Sequence, residues 1–402
     1  MPARLTKLHV SNYRALADVE LPLGAINVLF GPNGAGKSTL LDTIWFVRDC
    51  AIRGVELASS TRDHGIGLLF DGAAEGSSIV VGLGTEDVRY ELTLEFSAGR
   101  IEPMAGERLE SNVRGKELIR RLPGTTRADF FSIEKGQSAN FELREPEKLS
   151  LGRYLDYAPN CAEAVALDGV LRYIRFYHSR SFHLYQLKKF GSESGYETTL
   201  WSFANNLWSV IRNLQAKNRL DDRYETILGY MRKAFPRSFD DVVIEQTGPN
   251  SLYASFIEKG RREPIRASGV SDGHIQMLIL LTALFSEGRD RSSLLLIDEP
   301  ETSLHPWALA VFAEAVSEAA LHWNKQVSIA THSPVLISQF DTDCILSLET
   351  CEGQVRIARL SEIPGIQDLL EKYAAGSLFM SEVIASQNGD QITHSETVEF
   401  QR

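Results

Sequence analysis

The stretch Gly31-Pro-Asn33-Gly34-Ala35-Gly36-Lys37-Ser38-Thr39 constrains this chain more than any other. It fits G-x-x-x-x-G-K-[ST], and the chemistry needs that spacing. Glycines let successive backbone N–H groups converge on an anion without a Cβ in the way. A helix that follows points its positive end at the same anion. Lys37 can then reach the β- and γ-phosphates of a nucleotide, and the Ser38 hydroxyl suits Mg²⁺. The context agrees. Ala25–Phe30 is a short apolar run, and from Ser38 the residues Leu40, Leu41, Ile44, Trp45 and Val47 recur at helical spacing to about Asp49.

The rest of the chain reads as an α/β protein with insertions. Arg4–Ser11 and Leu16–Leu21 alternate as strands do, and residues 65–145 read as antiparallel β, with strands such as Ser78–Leu83, Val88–Phe96 and Asp129–Ile133. Residues 160–240 read as mostly helical and 251–267 as a hairpin. A helix (Ile275–Phe285), a buried strand (Ser293–Ile297), a helix (Pro306–Asn324) and a second buried strand (Gln326–Ala330) follow. Apolar strands alternating with helices predict a parallel sheet. A last hairpin is expected over Ile345–Leu360, a helix over Gln367–Ile384, and a frayed tail after Gln387.

The net charge of −11 argues against a coat of nucleic acid. No run of eighteen apolar residues exists, so no membrane span is expected, and the start has no signal-peptide core. Cys50, Cys161, Cys344 and Cys351 lack C-x-x-C spacing, which predicts a reducing cytoplasm and no structural zinc.

Ser293-Leu-Leu-Leu-Ile-Asp298-Glu299-Pro300 is an apolar strand ending in two acids, which is costly unless they have a task. Asp298 suits a Mg²⁺ shell and Glu299 a base that orients or deprotonates water. Read alone, the pair could cap the next helix. Thr331-His332-Ser333 follows the neighbouring strand, so His332 falls beside Asp298, where it could sense a γ-phosphate or be merely structural. Val270-Ser271-Asp272-Gly273-His274 opens a helix and suits either a phosphate or a simple N-cap.

The order of these motifs resembles the ABC-type ATPase head, and most of all the soluble RecF/OLD-like branch of AAA-type ATPases. Asn12-Tyr13-Arg14, Ser271-Asp272-Gly273 and Asp298-Glu-Pro-Glu-Thr-Ser-Leu-His-Pro306 carry the resemblance. It implies a P-loop head with an antiparallel β-subdomain and a helical insertion, divided as 1–185, 186–245 and 246–402. Asn33 to Thr39 and Arg14 would bind ATP. Lys37, Glu299 and His332 would be catalytic, with His332 the switch histidine. Ser271, Asp272 and Gly273 would form a signature loop acting on the nucleotide of a second copy. Thr302, Ser303, Leu304 and His305 would cross the dimer interface. Ser38, Asp298 and a glutamine would hold Mg²⁺. Gln137 is preferred for that glutamine, with Gln186 the other candidate. Asp272 and His274 replace the glycine and glutamine of transporter heads.

The resemblance further implies an ATP-dependent homodimer serving DNA repair or antiviral defence, acting on DNA or on a separate effector protein, without membrane contact. About 230 residues separate the loop from the signature without sustained heptads, so no long coiled coil of the SMC or Rad50 kind fits. A C-terminal nuclease domain is not expected, because Glu382 and Asp390 alone do not form its acidic cluster. A nucleotide-locked scaffold with little turnover is the rival class, and a transporter subunit the weakest. His178 and His183 read as solvated or core residues. Arg114, Lys116, Arg120 and Arg121, then Arg212, Lys217, Arg219 and Arg223, then Lys259, Arg261, Arg262 and Arg266 form three basic clusters that read as solvated faces, with a grip on phosphates the alternative. Phe176, Tyr177 and Tyr185 read as core.

Overall fold

The alternation in the first twenty residues becomes an antiparallel hairpin, Lys7–Tyr13 with Leu16–Pro22. Leu8, Val10, Tyr13, Leu16, Val19 and Leu21 turn inward. The computed structural model describes residues 3–62, 65–370, 373–381 and 384. They divide into two compact units. The first takes the described residues of 3–174 and 343–370, with 381 and 384; the second takes 175–342 and 373–380.

In the first unit the hairpin ends an eight-stranded antiparallel sheet. From the other edge its order is Gln137–Glu142, Arg127–Ser132, Lys116–Arg121, Gly106–Ser111, Val88–Leu94, Ile79–Gly84, Lys7–Tyr13 and Leu16–Pro22. A separate set of strands is built on Ile26–Phe30. It runs parallel to Ile345–Cys351, which pairs antiparallel with Gln354–Arg359. The C-terminal hairpin therefore belongs with the strand that feeds the phosphate loop, not with the 246–402 lobe the sequence suggests. Sequence distance hid this, since a parallel partner carries no turn signal. The loop and this hairpin meet closely: a Cβ on Gly31 would lie 2.2 Å from the Leu348 carbonyl oxygen.

A polar network fastens the first hairpin to the helix Lys37–Arg53. Asp42 accepts from the Tyr13 hydroxyl (2.7 Å), Arg14 (3.1 Å) and Arg62 (2.9 Å), and Arg62 also reaches Asp49 at 3.1 Å. Arg62 is buried, so removing its partner strands a charge. Asp42→Ala is expected to destabilise this unit by about 3 kcal/mol in urea unfolding, with a substitution at exposed Glu20 as the neutral control.

In the second unit the strand Ser293–Asp298 lies between Ile174–His178 and Lys325–Thr331, parallel to the latter. Every residue of both Ser293–Asp298 and Lys325–Thr331 is buried, as a sheet covered on both faces requires. The helices Asp272–Phe285 and Pro306–His322 are almost as apolar. Leu207–Ala216 and Arg223–Ala234 form the helical part. Asp241–Gln246 and Ser251–Ile257 are its hairpin, with the two-residue strand Ile265–Arg266 beside the latter. In place of one helix over Gln367–Ile384 there are two short ones, Ile366–Leu370 and Ala375–Met380. The tail after Gln387, with Glu382 and Asp390, lies outside the described residues.

Candidate functional site

In the first unit the candidate phosphate site is the loop between Phe30 and Lys37. Gly34 and Gly36 take left-handed φ values of 80° and 87°. Gly36 starts the helix with no side-chain cap, which leaves that helix end to another partner. Nothing would meet a Cβ on Gly34, so the loop is open there, and Asn33, Gly34 and Ser38 are exposed while Ala35 is buried. The Lys37 ammonium is buried and donates to the Gly31 and Pro32 carbonyls at 2.9 and 2.8 Å. It braces the loop from inside. Thr39 lies in the first helical turn, and Arg14 pairs with Asp42, which lies one turn past Ser38.

In the second unit candidate residues gather at the ends of the two parallel strands. Asp298 is buried and level with Ala330 across the ladder. Glu299 sits in the left-handed region at φ 51°, a costly conformation for a residue with a Cβ. Its N–H donates to the Ala330 carbonyl at 2.9 Å, and its own carbonyl accepts from the Thr302 hydroxyl. That fixes the Glu299 backbone on both sides. Glu301 accepts from the His332 N–H at 2.6 Å and from the Thr331 hydroxyl at 2.9 Å. Burial raises the Glu301 pKa, against the pull of these hydrogen bonds. Strand register and this carboxyl together place His332 at the same end of the parallel strands as Glu299.

Ser271 occupies the N-cap position of the helix Asp272–Phe285 without a side-chain cap bond, and a Cβ on Gly273 would lie 2.6 Å from the Ser303 carbonyl oxygen. The Ser271–Gly273 turn and the Thr302–His305 loop are thus in van der Waals contact. The Ser271 hydroxyl meets His274 Nδ1 at 2.6 Å, and the His274 ring stacks on Phe235. Burial lowers the His274 pKa, so the ring favours its neutral form. Asp272 pairs with Lys188 at 2.7 Å. His305 caps the Pro306 helix, and Leu304 is buried beside it.

Gln137 opens an exposed edge strand at the opposite end of the eight-stranded sheet from Leu16, which itself lies beside Gly36. Seven strand spacings are on the order of 30 Å along the ladder, which removes Gln137 from the Mg²⁺ ligands. Gln186 is exposed on the short helix Leu184–Lys189. His178 is neither a free surface residue nor a core one: its Nδ1 lies 3.1 Å from Asp298, a contact that raises its pKa. Tyr185, unlike buried Tyr177, is mostly exposed. In the basic clusters Arg114, Arg121 and Arg223 are turned to internal partners, whereas Lys259, Arg261, Arg262 and Arg266 are exposed.

The residues the motifs missed are His178, Arg180 and Glu301. Arg180 Nε contacts the Glu299 carboxylate. Residues 160–240 read as mostly helical, yet Ile174–His178 is a strand beside Ser293–Asp298, and its end carries His178 to the acids.

Fold and site together define an ABC-type P-loop ATPase head. The chain belongs to the family described as "AAA domain, putative AbiEii toxin, Type IV TA system", whose model matches residues 26–338. Its fold is that of SMC heads. A crystal structure of the SmcHead bound to the C-winged helix domain of ScpA aligns at TM-score 0.51 and 14% identity, covering 88% of this chain and 97% of that one. An Smc head with an extended coiled coil, bound to the C-terminal domain of ScpA from Pyrococcus furiosus, aligns at 0.50 and 12% identity, covering 92% of this chain and all of that one. The likeness is to the head: the longest helices among the described residues have 17 residues. Among curated relatives, the OLD nuclease of Thermus scotoductus is 52% identical over 40 residues, 10% of this chain and 8% of that one. The DNA replication and repair protein RecF of Anaeromyxobacter dehalogenans (strain 2CP-1) is 34% identical over 113 residues, 28% of each chain. The chain thus matches less than a third of the length of either relative. No described helix is long and apolar enough to cross a membrane.

Proposed function

We propose that this chain binds and hydrolyses ATP, and that it does so when two copies close around the nucleotide. The observation that carries the reading is Glu299. A buried strand delivers an acid pair, and the backbone accepts left-handed strain at the second acid. Strain of this kind persists where a task requires it. Residues 33–39 bind the triphosphate, and Lys37 exchanges its loop carbonyls for phosphate oxygens. Ser38 and Asp298 suit Mg²⁺, which supplies neutralising charge on the phosphate oxygens when bound. Glu299 accepts the proton of the attacking water, and His332 faces the developing charge on the γ-phosphate.

Ser271 and Gly273 serve the nucleotide of the second copy, with Ser303, Leu304 and His305 at the joint. The packing of Gly273 on Ser303 supports one rigid surface made of both loops. Ser271→Arg is therefore expected to abolish ATP-dependent dimerisation while leaving ATP binding by the single chain within about threefold of wild type. Light scattering with and without Mg-ATP checks this; a dimer that survives Ser271→Arg counts against the trans role. The output acts on DNA or on a partner effector, by kinship with the repair protein RecF. The exposed residues Lys259, Arg261, Arg262 and Arg266 are the surface for that contact.

One observation favours the scaffold reading, in which the nucleotide is held and hardly turned over. The Glu299 carboxylate is already engaged by Arg180.

A further inference from the structure

Arg180 lies in the three-residue turn Ser179–Ser181, immediately after the strand that flanks Ser293–Asp298. Its Nε contacts the Glu299 carboxylate. The two partners differ in freedom. The Glu299 side chain is 17% exposed on a backbone pinned at both its N–H and its carbonyl. The Arg180 side chain is 68% exposed. If the pair separates, Arg180 moves.

The contact is unsuited to hydrolysis as it stands. A general base must present a free oxygen to the water, and the Arg180 guanidinium already lies against one of the two Glu299 carboxylate oxygens. The same guanidinium binds phosphate at least as well as carboxylate, through a planar fork of donors. A water held by Glu299 attacks the γ-phosphorus, so the terminal phosphate must come within one water of Glu299. It is then within reach of the side chain that touches Glu299.

We propose that Arg180 is a phosphate-sensing residue shared between two anions. Without nucleotide it rests on Glu299. With ATP it moves to the terminal phosphate and frees the base. ADP offers no such phosphate, so Arg180 returns to Glu299. The inference rests on the ATPase reading above and adds a residue that reports the γ-phosphate to the base. It also accounts for the engaged carboxylate without recourse to a scaffold.

The test is equilibrium binding of Mg²⁺ with a non-hydrolysable ATP analogue, and of Mg²⁺ with ADP, to the full chain. Wild type is compared with Arg180→Ala, Glu299→Gln and the double variant. Arg180→Ala should weaken the triphosphate analogue about tenfold, the loss of one charge-assisted contact, and leave ADP within about twofold. Glu299→Gln removes the competing anion, so it should tighten the analogue when Arg180 is present and have no effect in the Arg180→Ala background. Arg180→Lys should recover part of the discrimination. Equal losses for both nucleotides, or the same Glu299→Gln effect in both backgrounds, would overturn the proposal while leaving the ATPase reading standing. A wild type that binds neither nucleotide would overturn both.

Discussion

Lys37→Met is expected to abolish Mg-ATP binding, weakening it by more than about a hundredfold. The ammonium is buried and spends its hydrogen bonds on the Gly31 and Pro32 carbonyls. Methionine keeps much of the volume and removes the charge. The loop then loses its internal brace and the triphosphate its cation, and both losses fall on binding. Without nucleotide, the melting temperature of the variant should lie within a few degrees of wild type, because the helix and its apolar face are untouched. With nucleotide, wild type should gain stability as the logarithm of ligand over Kd, and Lys37→Met should gain none. A variant that still melts higher with Mg-ATP would take Lys37 out of the site.

Glu299→Gln is expected to act on the other side of the cycle. Glutamine is isosteric, so the left-handed turn, the N–H bond to Ala330 and the Thr302 contact can all remain. What goes is the ability to accept a proton from water. Turnover should fall by about a hundredfold or more, the usual contribution of a positioned base. Nucleotide binding should persist, and the ATP-bound dimer should accumulate because its exit step is slowed. Glu301→Gln makes the contrast. Glu301 accepts from the His332 N–H and the Thr331 hydroxyl, so its loss should act through the position of His332 and cost less.

What the sequence made legible was local. The glycine spacing before Lys37 states a backbone shape, and a wholly apolar strand closing on Asp298 and Glu299 states a buried edge with a task. The alternation in 78–96 was enough for the antiparallel sheet, because each strand there pairs with a close neighbour in sequence. Non-local pairing was not legible. Nothing in Ile345–Cys351 says that its partner is Ile26–Phe30, more than three hundred residues earlier. The same gap hid His178 and Arg180, which reach Asp298 and Glu299 across more than a hundred residues. Gln137 misled for a related reason. A glutamine in a turn after a strand fits the family's glutamine loop, but the strand before it belongs to the antiparallel sheet and its turn faces solvent. Glu301 stood inside a recognised motif, yet its hold on the His332 N–H follows from the parallel register alone.

Steady-state ATP hydrolysis by wild type and Glu299→Gln, each with and without duplex DNA, tests the central claim most directly. The expected result is Mg²⁺-dependent turnover by wild type and silence from Glu299→Gln, although that variant still binds ATP. Stimulation by duplex would point to DNA as the partner. Wild-type turnover no greater than that of Glu299→Gln in every condition, with ATP bound by both, would contradict the assignment of Glu299 as the base and leave a nucleotide-held platform in its place.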